Sequence, residues 1–286
     1  MDTYATQRLA AKLVALDIDG TIIGRDGIVP QVTRLAIERV RAEGIEVVLA
    51  TGRSLVGVLP IAQQLGLTRG WFVASNGAIT GRFTGHWWKP YKVVSTRVFD
   101  PQGAFSYAMC AIPDAFMAVE EIGRGFRVNV RFGPGLLNGK QRIVSERDLW
   151  SRPVTRAVIH AEGAAGMAAQ LHSAGVTAVP AGPDWIDVTK QGLSKAVELD
   201  EIRRHLGIAR DETVAVGDGL NDLEMLKWSG YGVAMGHAPE EVLMTADHVT
   251  GTIGEHGAAH VLESLCQRPS MPPRDVSSVS GRRPGV

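Results

Sequence analysis

The sequence predicts an α/β protein, with a doubly wound, largely parallel core sheet interrupted by an α+β insert. Short apolar runs alternate with helical patterns over roughly the first eighty residues, and the same rhythm resumes from about Leu193. Between them the texture changes to glycine-punctuated, strand-like segments. Alternating strands and helices joined by short links imply right-handed crossovers and a parallel sheet, so the two outer thirds read as one sheet and the middle as a separate module.

The elements follow in order. Lys12 to Leu16 is an apolar run that ends abruptly in Asp17-Ile18-Asp19-Gly20-Thr21, a buried strand delivering acids into a glycine turn. Pro30 suits a helix start, Val32, Leu35, Ala36 and Val40 recur at helical spacing, and Gly44 stops the helix. Glu46 to Ala50 is the next strand, Ser54 to Leu65 the next helix and Trp71 to Ala74 the third strand. From about Gly81 the insert begins, with hairpin-like glycines at Gly81 and Gly85, the pair Trp87-Trp88, and a glycine-rich stretch from Gly123 to Gly139. Strands are expected at Ala115 to Val119, Val154 to His160 and Trp185 to Val188, and helices near Gln102 to Ile112 and Ala164 to Ser173. The core resumes with a helix over Leu193 to Leu206, a strand over Thr213 to Val216, the turn Gly217-Asp218-Gly219 and a helix from Asn221. Short strands at Tyr231 to Ala234 and Asp247 to Val249, and helices at Pro239 to Met244 and Gly257 to Leu265, complete it. After Gln267 the composition turns to Pro, Ser, Arg and Gly, which predicts a disordered tail.

Bulk composition narrows the function. The length of 286 residues suits a core domain plus an inserted module, and 45% hydrophobic content supports a sizeable core. Lys plus Arg and Asp plus Glu both count 30, so no global field draws the protein to nucleic acid or to an anionic membrane. Cys110 and Cys266 are too few for a disulfide framework and lack metal-ligand spacing, which fits a reducing cytoplasm. Met1 to Ala10 lacks signal-peptide features, and every apolar run is broken before membrane-spanning length, so a soluble cytoplasmic protein is expected. The sequence carries no signal for an oligomeric state.

In an open parallel sheet, ligands bind outside the carboxyl ends of the strands, so Asp17, Asp19, Thr51 and Asn76 face one crevice. Two carboxylates two residues apart make a compact acidic mouth. Mg2+ takes oxygen ligands, commonly one or two carboxylates plus substrate phosphate, which Asp17 and Asp218 can supply. Asp17 can then attack phosphorus as a carboxylate nucleophile, with Asp19 as the acid/base of both half-reactions. Lys195 and Thr51 would neutralise and hydrogen-bond the phosphoryl oxygens.

These residues form four ordered motifs. Asp17-Ile18-Asp19-Gly20-Thr21, Ala50-Thr51-Gly52-Arg53, Leu193-Ser194-Lys195 and Gly217-Asp218-Gly219-Leu220-Asn221-Asp222 resemble those of the haloacid dehalogenase-like superfamily, in its Cof-type subfamily IIB. The resemblance spans roughly residues 12 to 265. It implies a Rossmann-like doubly wound core with an inserted α+β cap domain. The expected organisation is an N-terminal extension (1–10), core (11–80), cap (81–188), core (189–267) and tail (268–286). It further implies Asp17 as nucleophile, Asp19 as acid/base with its backbone carbonyl on the metal, Thr51 and Lys195 on the phosphoryl group, and Asp218 as metal ligand. Asp222 would support the lysine or a metal-bound water. Gly52, Arg53, Asn76, Gly77 and Asn221 are the substrate-binding candidates, Asn76-Gly77 lying where core and cap meet. Ala196 and His237 depart from the family pattern, where glycine and asparagine are usual; His237 also reads as a satisfied surface residue, and Trp87-Trp88 as hairpin packing.

The implied activity is a magnesium-dependent phosphatase acting on a small phosphorylated metabolite, with a sugar phosphate as first expectation by analogy. A phosphomutase of the phosphomannomutase type shares the nucleophile and the cap class. A non-catalytic phosphometabolite sensor would have no need of the Asp17–Asp19 pair.

Overall fold

The computed structural model describes residues 11–266. The N-terminal extension (1–10) and the tail (268–286), like Gln267, lie outside the described residues. The first stretch runs β1 (Leu13–Leu16), α1 (Gln31–Ala42), β2 (Glu46–Ala50), α2 (Leu55–Gln64), β3 (Arg69–Ala74), β4 (Ile79–His86) and β5 (Lys89–Thr96). The middle comprises α3 (Gln102–Ala111), β6 (Phe116–Glu121), β7 (Gly125–Val128), β8 (Lys140–Ile143), α4 (Glu146–Leu149), β9 (Ala157–His160), α5 (Ala168–Ser173), β10 (Val176–Pro180) and β11 (Trp185–Lys190). The last stretch holds α6 (Lys195–His205), β12 (Thr213–Gly217), α7 (Leu223–Trp228), β13 (Tyr231–Ala234), α8 (Glu240–Thr245), β14 (His248–Val249) and α9 (Gly257–Cys266).

The first sheet has the order β14-β13-β12-β1-β2-β3-β4-β5. It is parallel from β14 to β3 and antiparallel across β3–β4 and β4–β5. β1 shows why its sequence is apolar on both faces. Val14 and Leu16 pack toward α1 and α9 beside Ala36, Ile37, Val40 and Leu262, while Leu13 and Ala15 pack toward α6 and α7 beside Leu199, Ile202 and Met225. The fold is therefore the doubly wound, Rossmann-like α/β arrangement expected. From β1 the chain winds outward through β2 and β3, then returns on the other side through β12, β13 and β14. The strand order reverses between β1 and β12, which opens a crevice at their carboxyl ends.

The second sheet has the order β10-β11-β9-β6-β7-β8, with β7–β8 parallel and the other pairs antiparallel. Helices α3 and α5 cover one face through Phe105, Ala108 and Leu171 against Met117, Ile159 and Ile186. The opposite face carries Ala118, Phe126, Phe132 and Val158, with Trp185 against them.

The insert was expected from Gly81, but β4 and β5 extend the first sheet, and the second sheet begins only at β6. Gly81 and Gly85 sit at register irregularities inside β4 rather than at its turn, which carries the exposed Trp87 and Trp88. Strands β7, β8 and β10 fall where no strand was expected. Each has only four or five residues, and β8, Lys-Gln-Arg-Ile, lacks the apolar alternation that marks a strand.

Candidate active site

The crevice at the strand ends collects residues that are far apart in sequence. Asp17 follows β1 directly, Thr51 follows β2, Ser75 and Asn76 follow β3, and Asp218 follows β12. Asp17 is anchored by its backbone N–H to the Val216 carbonyl (3.0 Å) and Thr51 by its own to Val73 (2.9 Å). Gly20 lets the first and fourth motifs touch. At its φ of +80° a side chain would be strained, and an added Cβ would lie 2.2 Å from Asp218 Oδ2.

Lys195, the first residue of α6, is fully buried and donates from Nζ to Asp17 Oδ1 (2.6 Å) and to Asp222 Oδ1 (2.7 Å). Asp222 accepts further on Oδ2 from the backbone N–H groups of Asp218 (3.0 Å) and Gly219 (2.9 Å). Asp218 Oδ1 accepts from Thr21 Oγ1 (2.9 Å), and His237 Nε2 stands 3.6 Å from Asp218 Oδ2. The departure at His237 therefore places an imidazole beside the fourth motif. Its Nδ1 faces the Ile253 N–H at 3.4 Å, so the histidine also ties a neighbouring loop.

Burial pushes Asp17 well above the ordinary carboxylate range, the Lys195 ammonium pulls it back, and the negative Asp222 and Asp218 add to the upward push. Asp218 is raised to about 6, first by burial and then by Asp222, against the Thr21 hydrogen bond. Burial alone would lower Lys195, but Asp17 and Asp222 outweigh it and hold the ammonium above its ordinary value. Carboxylate oxygens of Asp17, Asp218 and Asp222 lie within 4.8 Å of one another. Three carboxylates against one ammonium leave two negative charges, an oxygen-rich set that fits a hard divalent cation. Asp222 is fully buried behind the lysine, whereas Asp17 and Asp218 line the crevice.

The remaining sequence candidates divide. Thr51, Gly52, Arg53, Asn76 and Asn221 line the crevice with Asp19. The Thr51 hydroxyl accepts from the Arg53 N–H (3.1 Å), leaving its own proton to donate into the crevice. Arg53 reaches the crevice with its guanidinium engaged. It clasps the half-exposed Asp19 through Nε to Oδ2 (2.7 Å) and Nη2 to Oδ1 (2.6 Å). Gly77 does not line the crevice. It sits behind it at φ +101°, where an added Cβ would lie 2.4 Å from the Ser194 carbonyl, so its small size lets the third motif pack against the strand end. Lys195 likewise has no surface on the crevice and reaches it only through Asp17.

Sequence reasoning missed a buried polar junction between the two sheets. Ser75 and Asn76 both hold left-handed backbone (φ 52° and 54°), strain held in place by their side-chain bonds. Ser75 Oγ donates to Glu120 Oε2 (2.6 Å), which also accepts from Thr155 Oγ1 (3.2 Å), while Glu120 Oε1 accepts from the Leu55 N–H (3.3 Å). Asn76 Nδ2 donates to Asp187 Oδ2 (3.0 Å), and Asn76 Oδ1 accepts from Asn221 Nδ2 (2.9 Å). Asp187 Oδ1 accepts from Arg156 Nη2 (2.6 Å) and Trp185 Nε1 (2.9 Å). Asn76 thus bridges the second sheet to the fourth motif. The available signal was the alternation Trp185-Ile186-Asp187-Val188-Thr189, a strand with an acid on one face and apolar residues on the other.

With this geometry in place, a model of the haloacid dehalogenase-like hydrolase family matches residues 14–101 and 155–262, more than half of the chain. The chain belongs to that family. This haloacid dehalogenase-like hydrolase is 28% identical to the phosphatase YwpJ of Bacillus subtilis (strain 168) over 285 residues, covering 89% of this chain and 99% of YwpJ. It is 29% identical to the 5-amino-6-(5-phospho-D-ribitylamino)uracil phosphatase YitU of the same organism over 270 residues, covering 88% of this chain and 96% of YitU. Among solved structures, the subclass IIB sugar phosphatase BT4131 superposes with a TM-score of 0.75 at 27% identity, covering 88% of this chain and 98% of BT4131. Among the described residues of this chain, no helix is long and apolar enough to cross a membrane.

Proposed function

We propose that this hydrolase is a magnesium-dependent, cytoplasmic phosphatase of a small phosphorylated metabolite, a sugar phosphate, working through an aspartyl-phosphate on Asp17. The observation that carries the reading is the buried Asp17–Lys195–Asp222 chain beside Asp218, which leaves Asp17 at the crevice with two negative charges uncompensated. Asp17 and Asp218 would hold Mg2+, which supplies charge neutralisation that lets a carboxylate meet a phosphate.

Asp17 attacks phosphorus, forming the acyl-phosphate bond as the bond to the leaving oxygen breaks. That oxygen takes a proton from Asp19, and Asp19 then takes a proton from the water that releases phosphate from Asp17. Thr51 donates to a phosphoryl oxygen, and Lys195 keeps Asp17 oriented through its Oδ1 bond. Arg53 sits on Asp19 in the structure, so an arriving phosphoryl group competes for the guanidinium and frees Asp19 as it binds. Asn76 and Asn221, bonded to each other, face the substrate from the junction of the two sheets.

The test is phosphate release from a panel of phosphorylated metabolites, with and without Mg2+, for the native chain and Asp17→Asn. Magnesium-dependent release that vanishes in the variant supports the reading; activity surviving in Asp17→Asn refutes the nucleophile. Release without a bisphosphate activator separates it from a phosphomutase.

A further inference from the structure

The crevice encloses about 670 Å³, room for a leaving group well beyond the phosphate itself. Three polar side chains that the second sheet brings to it are already tied together. Arg156 Nη2 (2.6 Å) and Trp185 Nε1 (2.9 Å) both donate to Asp187 Oδ1. A fourth, the half-buried Asn138, lines the same crevice, and its carboxamide makes no hydrogen bond with any described residue.

Asn138 belongs to the loop between β7 and β8 and is set in place from both sides. Before it, Leu137 is buried with Phe126 and Phe132. After it, Gly139 holds φ +87°, and an added Cβ there would lie 2.8 Å from the Arg124 carbonyl and 3.2 Å from Val56 Cγ1. The loop is thus seated on the first turn of α2. The next residue of that turn is Gly57, where an added Cβ would lie 2.2 Å from Asn138 Oδ1 and 3.3 Å from Arg53 Cβ. A glycine weakens the helix that holds it, and here it leaves a notch that admits the Asn138 carboxamide. Arg53 Nη1 donates to the Gly57 carbonyl (3.4 Å), and the same guanidinium clasps Asp19, the acid that protonates the leaving oxygen. The one unengaged carboxamide of the second sheet therefore stands beside the place where the leaving group departs.

We propose that Asn138 is a specificity-determining residue, whose carboxamide, seated in the Gly57 notch, hydrogen-bonds a hydroxyl of the leaving group next to Asp19. A carboxamide both donates and accepts, and so does a hydroxyl. A leaving group that offers only carbon at that point strands the amide out of water, which sets a penalty against it. This rests on the phosphatase reading above and deepens it, by naming the residue with which the second sheet reads the leaving group. Asp17 performs the same chemistry on any phosphate that reaches it.

The experiment measures kcat/KM with Mg2+ for two pairs that differ in their hydroxyls, ribitol 5-phosphate against n-pentyl phosphate and glycerol 1-phosphate against n-propyl phosphate. In the native chain the hydroxyl-bearing member is expected to lead. Asn138→Ala should shrink that lead about two- to twelvefold in at least one pair, the range of a single neutral hydrogen bond, and mainly through KM. Gly57→Ala, a change that a helix accepts, should shrink it to a similar extent by displacing the carboxamide. The double variant should then lose no more than Gly57→Ala alone, because both changes act on one contact. A lead that Asn138→Ala leaves unchanged in both pairs, or losses equal on both members, overturns the proposal while the phosphatase reading stands, as do losses that add in full in the double variant. For a pair that is not turned over, titration calorimetry decides. Weaker binding of the hydroxyl-bearing compound in Asn138→Ala, beyond any change for its alkyl partner, upholds the proposal, and equal or absent binding overturns it. If no compound of any kind releases phosphate, the phosphatase reading fails on its own, and the same titration still judges Asn138.

Discussion

Asp218→Asn tests the electrostatics of the crevice without requiring a substrate. Asp218 is raised from an ordinary 3.8 to about 6, by burial and then by the Asp222 charge. The folded chain therefore holds this proton more tightly than the unfolded chain does, and native stability falls as pH climbs from about 4 to about 6. At about 1.36 kcal/mol per pH unit the full displacement is worth about 3 kcal/mol. Because the side chain is 20% exposed and hydrates partly, the expected effect is about 1–3 kcal/mol. Asparagine is nearly isosteric, keeps an acceptor for Thr21 Oγ1 and carries no charge. In the absence of divalent ions the variant should therefore be more stable than the native chain by that amount at neutral pH, with the gap closing below about pH 4. Excess Mg2+ should reverse the order, since the ion stabilises only the chain that binds it. Below about pH 6 the benefit of the ion should fade, as Asp218 takes up a proton instead. The assay is urea unfolding followed by circular dichroism across this pH range, with chelator and with Mg2+. A native chain that is more stable than Asp218→Asn in chelator at neutral pH would refute the argument, as would a gap that does not change with pH.

Three further outcomes follow from named contacts. Lys195→Met leaves Asp17 and Asp222 facing each other without their shared ammonium, and should cost about 3–5 kcal/mol in urea unfolding, part of it recovered by adding Asp222→Asn. Asp17→Asn should lower phosphate release by about 10⁴-fold or more without lowering the unfolding midpoint, because burial already works against the Asp17 charge. Gly77→Ala combines a φ of +101° with a Cβ 2.4 Å from the Ser194 carbonyl; it should cost about 1–3 kcal/mol and depress kcat more than it raises KM, since the displaced neighbour carries Lys195.

Much of the fold was legible because it is written in short-range physics. The apolar run before Asp17 and the helical spacing from Val32 to Val40 need only neighbours along the chain, and β1, β2, α1 and α2 lie within a residue or two of their expected bounds. The β4–β5 hairpin reads from sequence as part of the insert because glycines that shape bulges look, in a sequence, like glycines that shape turns. The edge strand β8, Lys-Gln-Arg-Ile, carries no period to detect because polar residues stand on both of its faces, and β7, although interior and buried, is only four residues long.

The candidate site divides along the same line. By itself the sequence determined which carboxylates, lysine and threonine stand at strand and helix ends, because a strand run followed by a glycine turn places a side chain at the edge of a sheet whatever its partners. Only the tertiary structure decided how they are paired: Lys195 buried between Asp17 and Asp222, Arg53 closed on Asp19, Gly77 behind the crevice, and Asn76 spanning Asp187 and Asn221. Those contacts join residues separated by 178, 27, 34, 111 and 145 positions. Charge compensation and desolvation depend on which groups meet in space, and no local pattern encodes a meeting of that range.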